Sequence, residues 1–219
     1  MTGKARVIAG ADGYGMDGVT PNPTPELNQQ PRAWVATGAG WQRVVLPTPT
    51  GEVHGTALAA SASGRVVGYV SNIGAAVWTP DGLGGWTIKV LNGSRATGIN
   101  SAGDLVVGNS GTAPAYWKLI GNNWSAPTLL PSTPNCSAAV GVDDSGRILG
   151  NPCRPDGRPW LPVVWLSPYD ANSIRVFGGL ADKTLGGHPR AISIRGTWIA
   201  GAGTWLTGFD EAAAYWRAF

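Results

Sequence analysis

The stretch "GINSAGDLVVG" (98–108) returns along the chain, and that recurrence constrains the fold more than any other feature. Its other copies are "ALAASASGRVVG" (57–68), "AVGVDDSGRILG" (139–150) and "PRAISIRGTWIAG" (189–201), and a remnant, "ARVIAG", ends at Gly10. After each β-branched run comes a connection of variable length, then a short apolar strand ending in Trp34, Trp78, Trp117, Trp165 or Trp216. In the first four units another segment follows: "GWQRVVLP", "GWTIKVLN", "NWSAPTLLP" and "SIRVFGGL". The period of about 40 to 50 residues is that of propeller blades.

Each unit therefore predicts four short strands separated by Gly, Pro, Asn or Asp clusters, and no stretch has the 3.6-residue apolar period of a helix. The expected fold is an all-β, five-bladed β-propeller forming one domain over 1–219, with units at roughly 1–55, 56–94, 95–136, 137–188 and 189–219. The first unit lacks its turn-leading strand and the last its fourth, so the two are expected to complete one another, since closing the ring removes exposed sheet edges. A blade with fewer strands, an upstream segment, or completion by a second chain in an oligomer remain open. Composition agrees: 33 Gly and 17 Pro with 43% apolar residues describe a turn-rich β protein with enough material for a core.

The hairpin turn follows from side-chain chemistry. Asn100, Ser61, Asp143 and Ser193 take its first position, where an oxygen accepts a backbone N–H two residues on. Gly103, Gly64, Gly146 and Gly196 take the last, where positive φ is wanted. Before the turn Ala59, Gly98, Gly141 and Ala191 are small, as crowded inner strands require. The tryptophans read as packing between units.

Cys136 and Cys153 fall in one unit. If the loop is Asp143 to Gly146, Val142 faces Arg147, and the uniform register places Cys136 opposite Cys153, which predicts a disulfide and an oxidising compartment. The opening "MTGKARVIAG" has no apolar segment of a signal peptide, and no run approaches the roughly 20 apolar residues of a spanning helix.

The pattern A-x-G-I-N-x-x-G-x-x-V-G followed by a strand ending in Trp resembles the HAF-type repeat of bacterial extracellular proteins, most closely in "ATGINSAGDLVVGNSGTAPAYWK" (96–118). The family's His-Ala-Phe triplet before the Trp is replaced here by "AAV", "PAY", "PVV" and "AAY". The resemblance implies an extracellular or periplasmic propeller-like repeat protein and carries over no catalytic residue.

Chemistry is sparse. The 16 Lys and Arg are dispersed, giving a net charge of +3 without a basic stripe, which argues against nucleic acid. His54 and His188 precede repeat strands, read as exposed loop histidines, and have no ligand-spaced partner for a metal. No Ser lies in a G-x-S-x-G elbow. Asp81, Asp104, Asp143, Asp144 and Asp156 read as turn residues. Only Glu26, Glu52, Asp210 and Glu211 lie outside tight turns, whereas a glycoside-processing propeller would need carboxylates on inner strands. "ADGYGMDG" (11–18) lacks the alternating ligands of a calcium loop. No cofactor is expected.

What varies is the connection before the Trp strand: about six residues in the second and third units, but Ala11 to Pro31, Asn151 to Pro162 and Ala202 to Glu211 in the others. In a five-unit ring those three are neighbours, which gathers Tyr14, Met16, Arg154, Trp160, Trp205, Phe209 and Asp210 into a candidate site for a carbohydrate or protein ligand. The expected function is non-catalytic, extracellular binding or adhesion, lectin-like at these loops, with a structural or protein-interaction scaffold as the alternative.

Overall fold

A computed structural model describes residues 6–11, 30–52, 54–131, 138–151, 163–167, 170, 173–176, 190–195, 198–204 and 211–217. Among these there is no helix, and the strands form five antiparallel sheets, one for each sequence repeat. The first holds β1 (Val7–Ala11), β2 (Pro31–Thr37) and β3 (Gly40–Val45) in that order. The second is β4 (Gly55–Ala60), β5 (Val66–Val70), β6 (Gly74–Pro80) and β7 (Trp86–Val90). The third places β8 (Arg95–Ile99), β9 (Leu105–Ser110) and β10 (Ala113–Ile120) side by side, with β11 (Asn123–Trp124) and β12 (Thr128–Leu129) both along β10. The fourth is β13 (Ala138–Val142), β14 (Ile148–Asn151), β15 (Val163–Trp165) and β16 (Ile174–Val176), and the fifth β17 (Arg190–Arg195), β18 (Trp198–Thr204) and β19 (Glu211–Arg217).

Two compact units divide the chain: Met1–Val106 with Trp117–Pro127, and Val107–Tyr116 with Thr128–Phe219. In the first unit, Val7, Ala9 and Ala33 of the first sheet meet Ala57, Val66, Val70, Ala76 and Trp78 of the second, joined by Leu46. In the second, Leu149 and Val164 of the fourth sheet meet Ile194 and Ile199 of the fifth.

The repeated tryptophan does more than fill space. Trp78, Trp117 and Trp165 are fully buried, and each indole N–H donates to a carbonyl at the end of the preceding repeat: Pro47 at 2.7 Å, Asn92 at 3.3 Å and Pro131 at 2.9 Å. The residue before each acceptor is a buried leucine, Leu46, Leu91 or Leu130. Their N–H groups donate to Pro31, Ala75 and Pro114, tying the outgoing chain to the start of its own Trp strand. A buried indole N–H left unpaired would cost about 1–3 kcal/mol, so the Leu-Pro or Leu-Asn exit and the next Trp form one device.

The expected turn has the right residue types at its head and its glycine but is one residue short. The N–H two residues on is the partner only for Asp143; Ser61 accepts from Arg65, and Asn100 from Gly103, Asp104 and Leu105. Ser61, Asn100 and Asp143 accept at the first position, and Gly64, Gly103 and Gly146 have φ of 92°, 79° and 79°. Arg65, Asp104 and Arg147 also belong to the loop, so Val142 pairs with Ile148 and not with Arg147. A bulge between Ala139 and Gly141 then removes one residue, and Ala138 faces Asn151 as a uniform register also requires. Equivalent bulges lie between Ala57 and Ala59 and between Ala191 and Ser193. The disulfide expected of Cys136 and Cys153 falls on positions outside the described residues.

Other expectations need correction. Ser193 is not a turn residue: it lies within β17 opposite Ala200, because the last hairpin closes sooner, with Arg195 opposite Trp198. The connections before the Trp strand in the second and third repeats are only 71–73 and 111–112, shorter than the six expected. The fourth segment of the third repeat is split at Ser125-Ala126-Pro127, where proline cannot donate to a ladder. No helix among the described residues is long and apolar enough to cross a membrane.

Candidate functional site

Each sheet has two ends, and their chemistry differs. At one end lie the turns 61–65, 100–104 and 143–147, whose polar atoms are spent on the turn itself. Asn100 Oδ1 accepts from Gly103, Asp104 and Leu105 N–H at 3.0, 3.0 and 3.1 Å, while its Nδ2 donates to Asp104 Oδ1 at 2.7 Å. Asp143 Oδ1 accepts from Ser145 and Arg147 N–H, and Oδ2 accepts from Arg147 Nε at 2.7 Å. Ser61 Oγ accepts from Arg65 N–H at 3.0 Å and lies 2.8 Å from Ser63 Oγ. Neighbouring turns interlock, Ser63 N–H donating to Ser101 O and Arg65 Nη1 to Gly103 O at 3.0 Å. These buried oxygens are saturated and are poor candidates for a general base or a ligand contact.

The other end carries the connections that precede the Trp strands. Two are tight, 71–73 and 111–112, with Asn72 and Gly111 at φ of 61° and 62°. The remaining three span 12–30, 152–162 and 205–210. Tyr14, Met16, Arg154, Trp160, Trp205, Phe209 and Asp210 all lie in those three, outside the described residues, as do Glu26 and Asp156; His188, ahead of β17, is also outside the described residues.

The described part of this end gathers Thr56, Tyr69, Asn72 and Arg95, which the sequence did not single out, with Glu52 and His54, which it did. The Arg95 guanidinium stacks over the Tyr69 ring, 4.4 Å from its centroid, and Thr56 Oγ1 donates to Tyr69 Oη at 3.2 Å. Asn72 Nδ2 approaches Glu52 Oε2 at 3.5 Å, and Thr48 Oγ1 donates to Glu52 O. His54 is half-buried rather than an exposed loop histidine: its carbonyl accepts from Ser71 N–H at 3.0 Å, and its Nδ1 is buried with no partner among the described residues. The available signal was positional. Tyr69 follows the repeat glycine where the third and fourth repeats place Asn109 and Asn151, so one side chain type departs from the pattern where the strand reaches the loops.

Carboxylates do not converge among the described residues. Asp81 Oδ1 accepts from Leu83 and Gly85 N–H in the outer hairpin, Asp104 and Asp143 belong to the opposite end, and no group of three His, Cys, Asp or Glu side chains is placed to hold a metal ion. Comparison with protein-family models finds none that matches the chain, and comparison with curated proteins finds no relative.

Proposed function

We propose that the chain is a non-catalytic binding or adhesion module outside the cytoplasm: a five-bladed propeller of the HAF-repeat type that takes a saccharide at its three long connections. The observation that carries this reading is the length contrast at one structural position. Residues 71–73 and 111–112 suffice to join the same two strands that elsewhere are joined by 12–30, 152–162 and 205–210. The scaffold does not need that extra chain, and surplus length on one face of a repeat protein is where ligand contacts accumulate. A ring of five makes the fourth, fifth and first repeats neighbours and collects Tyr14, Arg154, Trp160, Trp205, Phe209 and Asp210. Aromatic faces beside charged groups suit a sugar, whose apolar C–H face stacks while its hydroxyls hydrogen-bond.

A thermal-shift screen against mono- and oligosaccharides tests this directly, because a ligand that binds only the folded state raises Tm with occupancy. The expected result is a shift for at least one saccharide, lost in Trp160→Ala or Trp205→Ala. A flat screen across the panel rejects the lectin reading and favours the protein-interaction scaffold, which the exposed apolar face of the first sheet also supports.

A further inference from the structure

The chain exits that receive the buried indoles are not alike. Pro47 and Pro131 take the N–H groups of Trp78 and Trp165, whereas Trp117 donates to the carbonyl of Asn92, and Gly93 follows. This is the one Asn-Gly pair in the sequence. Ala75 clamps the same exit from both sides: its C=O accepts from Leu91 N–H and its N–H donates to Gly93 O, each at 2.8 Å. One residue thus holds both Leu91 and Gly93, and Asn92 spans the gap between them with its carbonyl on the Trp117 indole. Ala75, Leu91, Asn92, Gly93 and Trp117 all belong to the first compact unit.

The groups left over at this exit are the ones that can react with each other. The Asn92 side-chain amide and the Gly93 N–H have no hydrogen bond among the described residues. Gly93 has no side chain to screen its nitrogen, and glycine backbone reorients with little steric cost. Asn100 is the opposite case: its Oδ1 accepts three backbone N–H groups and its Nδ2 donates to Asp104, so its amide is fixed in the turn.

We infer that Asn92–Gly93 is a self-modification site, at which deamidation unfastens the seam between the second and third repeats. The Gly93 nitrogen gives up its proton and attacks Asn92 Cγ. The bond from Cγ to the side-chain nitrogen breaks, and ammonia leaves with that proton as a succinimide ring closes. Water then opens the ring, so one water is consumed for each ammonia released. Opening at Cγ leaves aspartate on the original main chain. Opening at the former main-chain carbonyl leaves isoaspartate: the chain runs through Cβ and Cγ, one carbon longer, and the old carbonyl carbon becomes a free carboxylate. The lengthened span no longer fits the Ala75 clamp, and the carbonyl that received the Trp117 N–H has left the main chain. Pro47 and Pro131 carry no side-chain amide, so this chemistry is confined to the exit that uses asparagine.

The test is to age the full chain in mildly alkaline buffer and map it by tryptic digestion and mass spectrometry against an unaged sample. The peptide 90–95, Val-Leu-Asn-Gly-Ser-Arg, should split into aspartyl and isoaspartyl products. Conversion there should be at least about tenfold faster than at Asn100, whose release from its turn adds to the barrier. Urea unfolding of the aged chain should reveal a weaker population with an unfolding constant about 5- to 30-fold larger, from loss of the indole's acceptor. Asn92→Gln keeps the main chain and disfavours closure of the ring, so its aged sample should show no such population. Freshly prepared Asn92→Asp adds the charge without the extra carbon and should unfold with the parent. Conversion at Asn92 no faster than at Asn100 overturns the inference, and so does conversion without a weaker population. The same weaker population in aged Asn92→Gln would overturn it by placing the damage elsewhere, and a weakened fresh Asn92→Asp would overturn it in favour of a charge effect.

Discussion

The turn end and the loop end of the sheets are built from the same strands, yet one is uniform and the other is not. At the turn end a five-residue loop recurs at 61–65, 100–104 and 143–147, with a buried Ser, Asn or Asp at its head and a positive-φ glycine in its fourth place. At the loop end the equivalent connection ranges from 111–112 to 12–30. The difference teaches where sequence freedom lies. A buried side chain that satisfies three backbone N–H groups cannot be lengthened away from them, whereas a chain crossing in solvent costs only slowly growing closure entropy. Uniformity marks the end that specifies the fold, and variability marks the end available for function.

The comparison breaks first, and most severely, at the seam between repeats. Trp78→Ala empties a fully buried indole site and leaves Pro47 O without its donor, so urea unfolding should show a loss of about 3–5 kcal/mol. Trp41→Ala, at a half-exposed position, should change stability by well under about 1 kcal/mol. Similar losses for both would mean that the seam does not set stability.

At the turn end, Asn100→Ala removes the acceptor of three backbone N–H groups, with an expected cost of about 2–3 kcal/mol in the same assay. Inserting Gly-Ser-Gly between Gly111 and Thr112 should cost less than about 1 kcal/mol, and the same insertion between Ala102 and Gly103 clearly more. Equal costs at the two positions would erase the distinction between the ends. The smallest effect belongs to Tyr69→Phe, which removes one hydrogen bond from Thr56 and keeps the stack under Arg95; about 0.5–1 kcal/mol is expected.

Much of this architecture was legible because periodicity reports it. The five Trp positions, the strands on either side of them and the glycines at 64, 103 and 146 follow from residue type and spacing. The bulges were not legible, since leaving Leu58, Val140 and Ile192 out of the ladder is a choice of the backbone that the side chains do not announce. The turn was read one residue short because Arg65 and Arg147 carry no turn signature, although their backbone closes the loop. Aligning Gly196 with Gly146 misplaced Ser193 for the same reason: a shorter hairpin can carry the same glycine. The indole-to-carbonyl link was hidden by distance, since Trp78 and Pro47 belong to different repeats. Of the candidate site, the sequence supplied the long connections but not the Thr56, Tyr69 and Arg95 group, whose members come from three separate strands.

The most direct test of the division between the two ends is to replace residues 205–210 with the two-residue Gly-Thr connection of the third repeat and to measure thermal unfolding. If long connections serve function and not fold, the variant unfolds in one cooperative transition with Tm within about 4 °C of the parent, a shift worth roughly 1 kcal/mol or less at this chain length. Loss of the cooperative transition, or a fall in Tm far beyond that, would show that the long connection is part of the fold and would contradict the account.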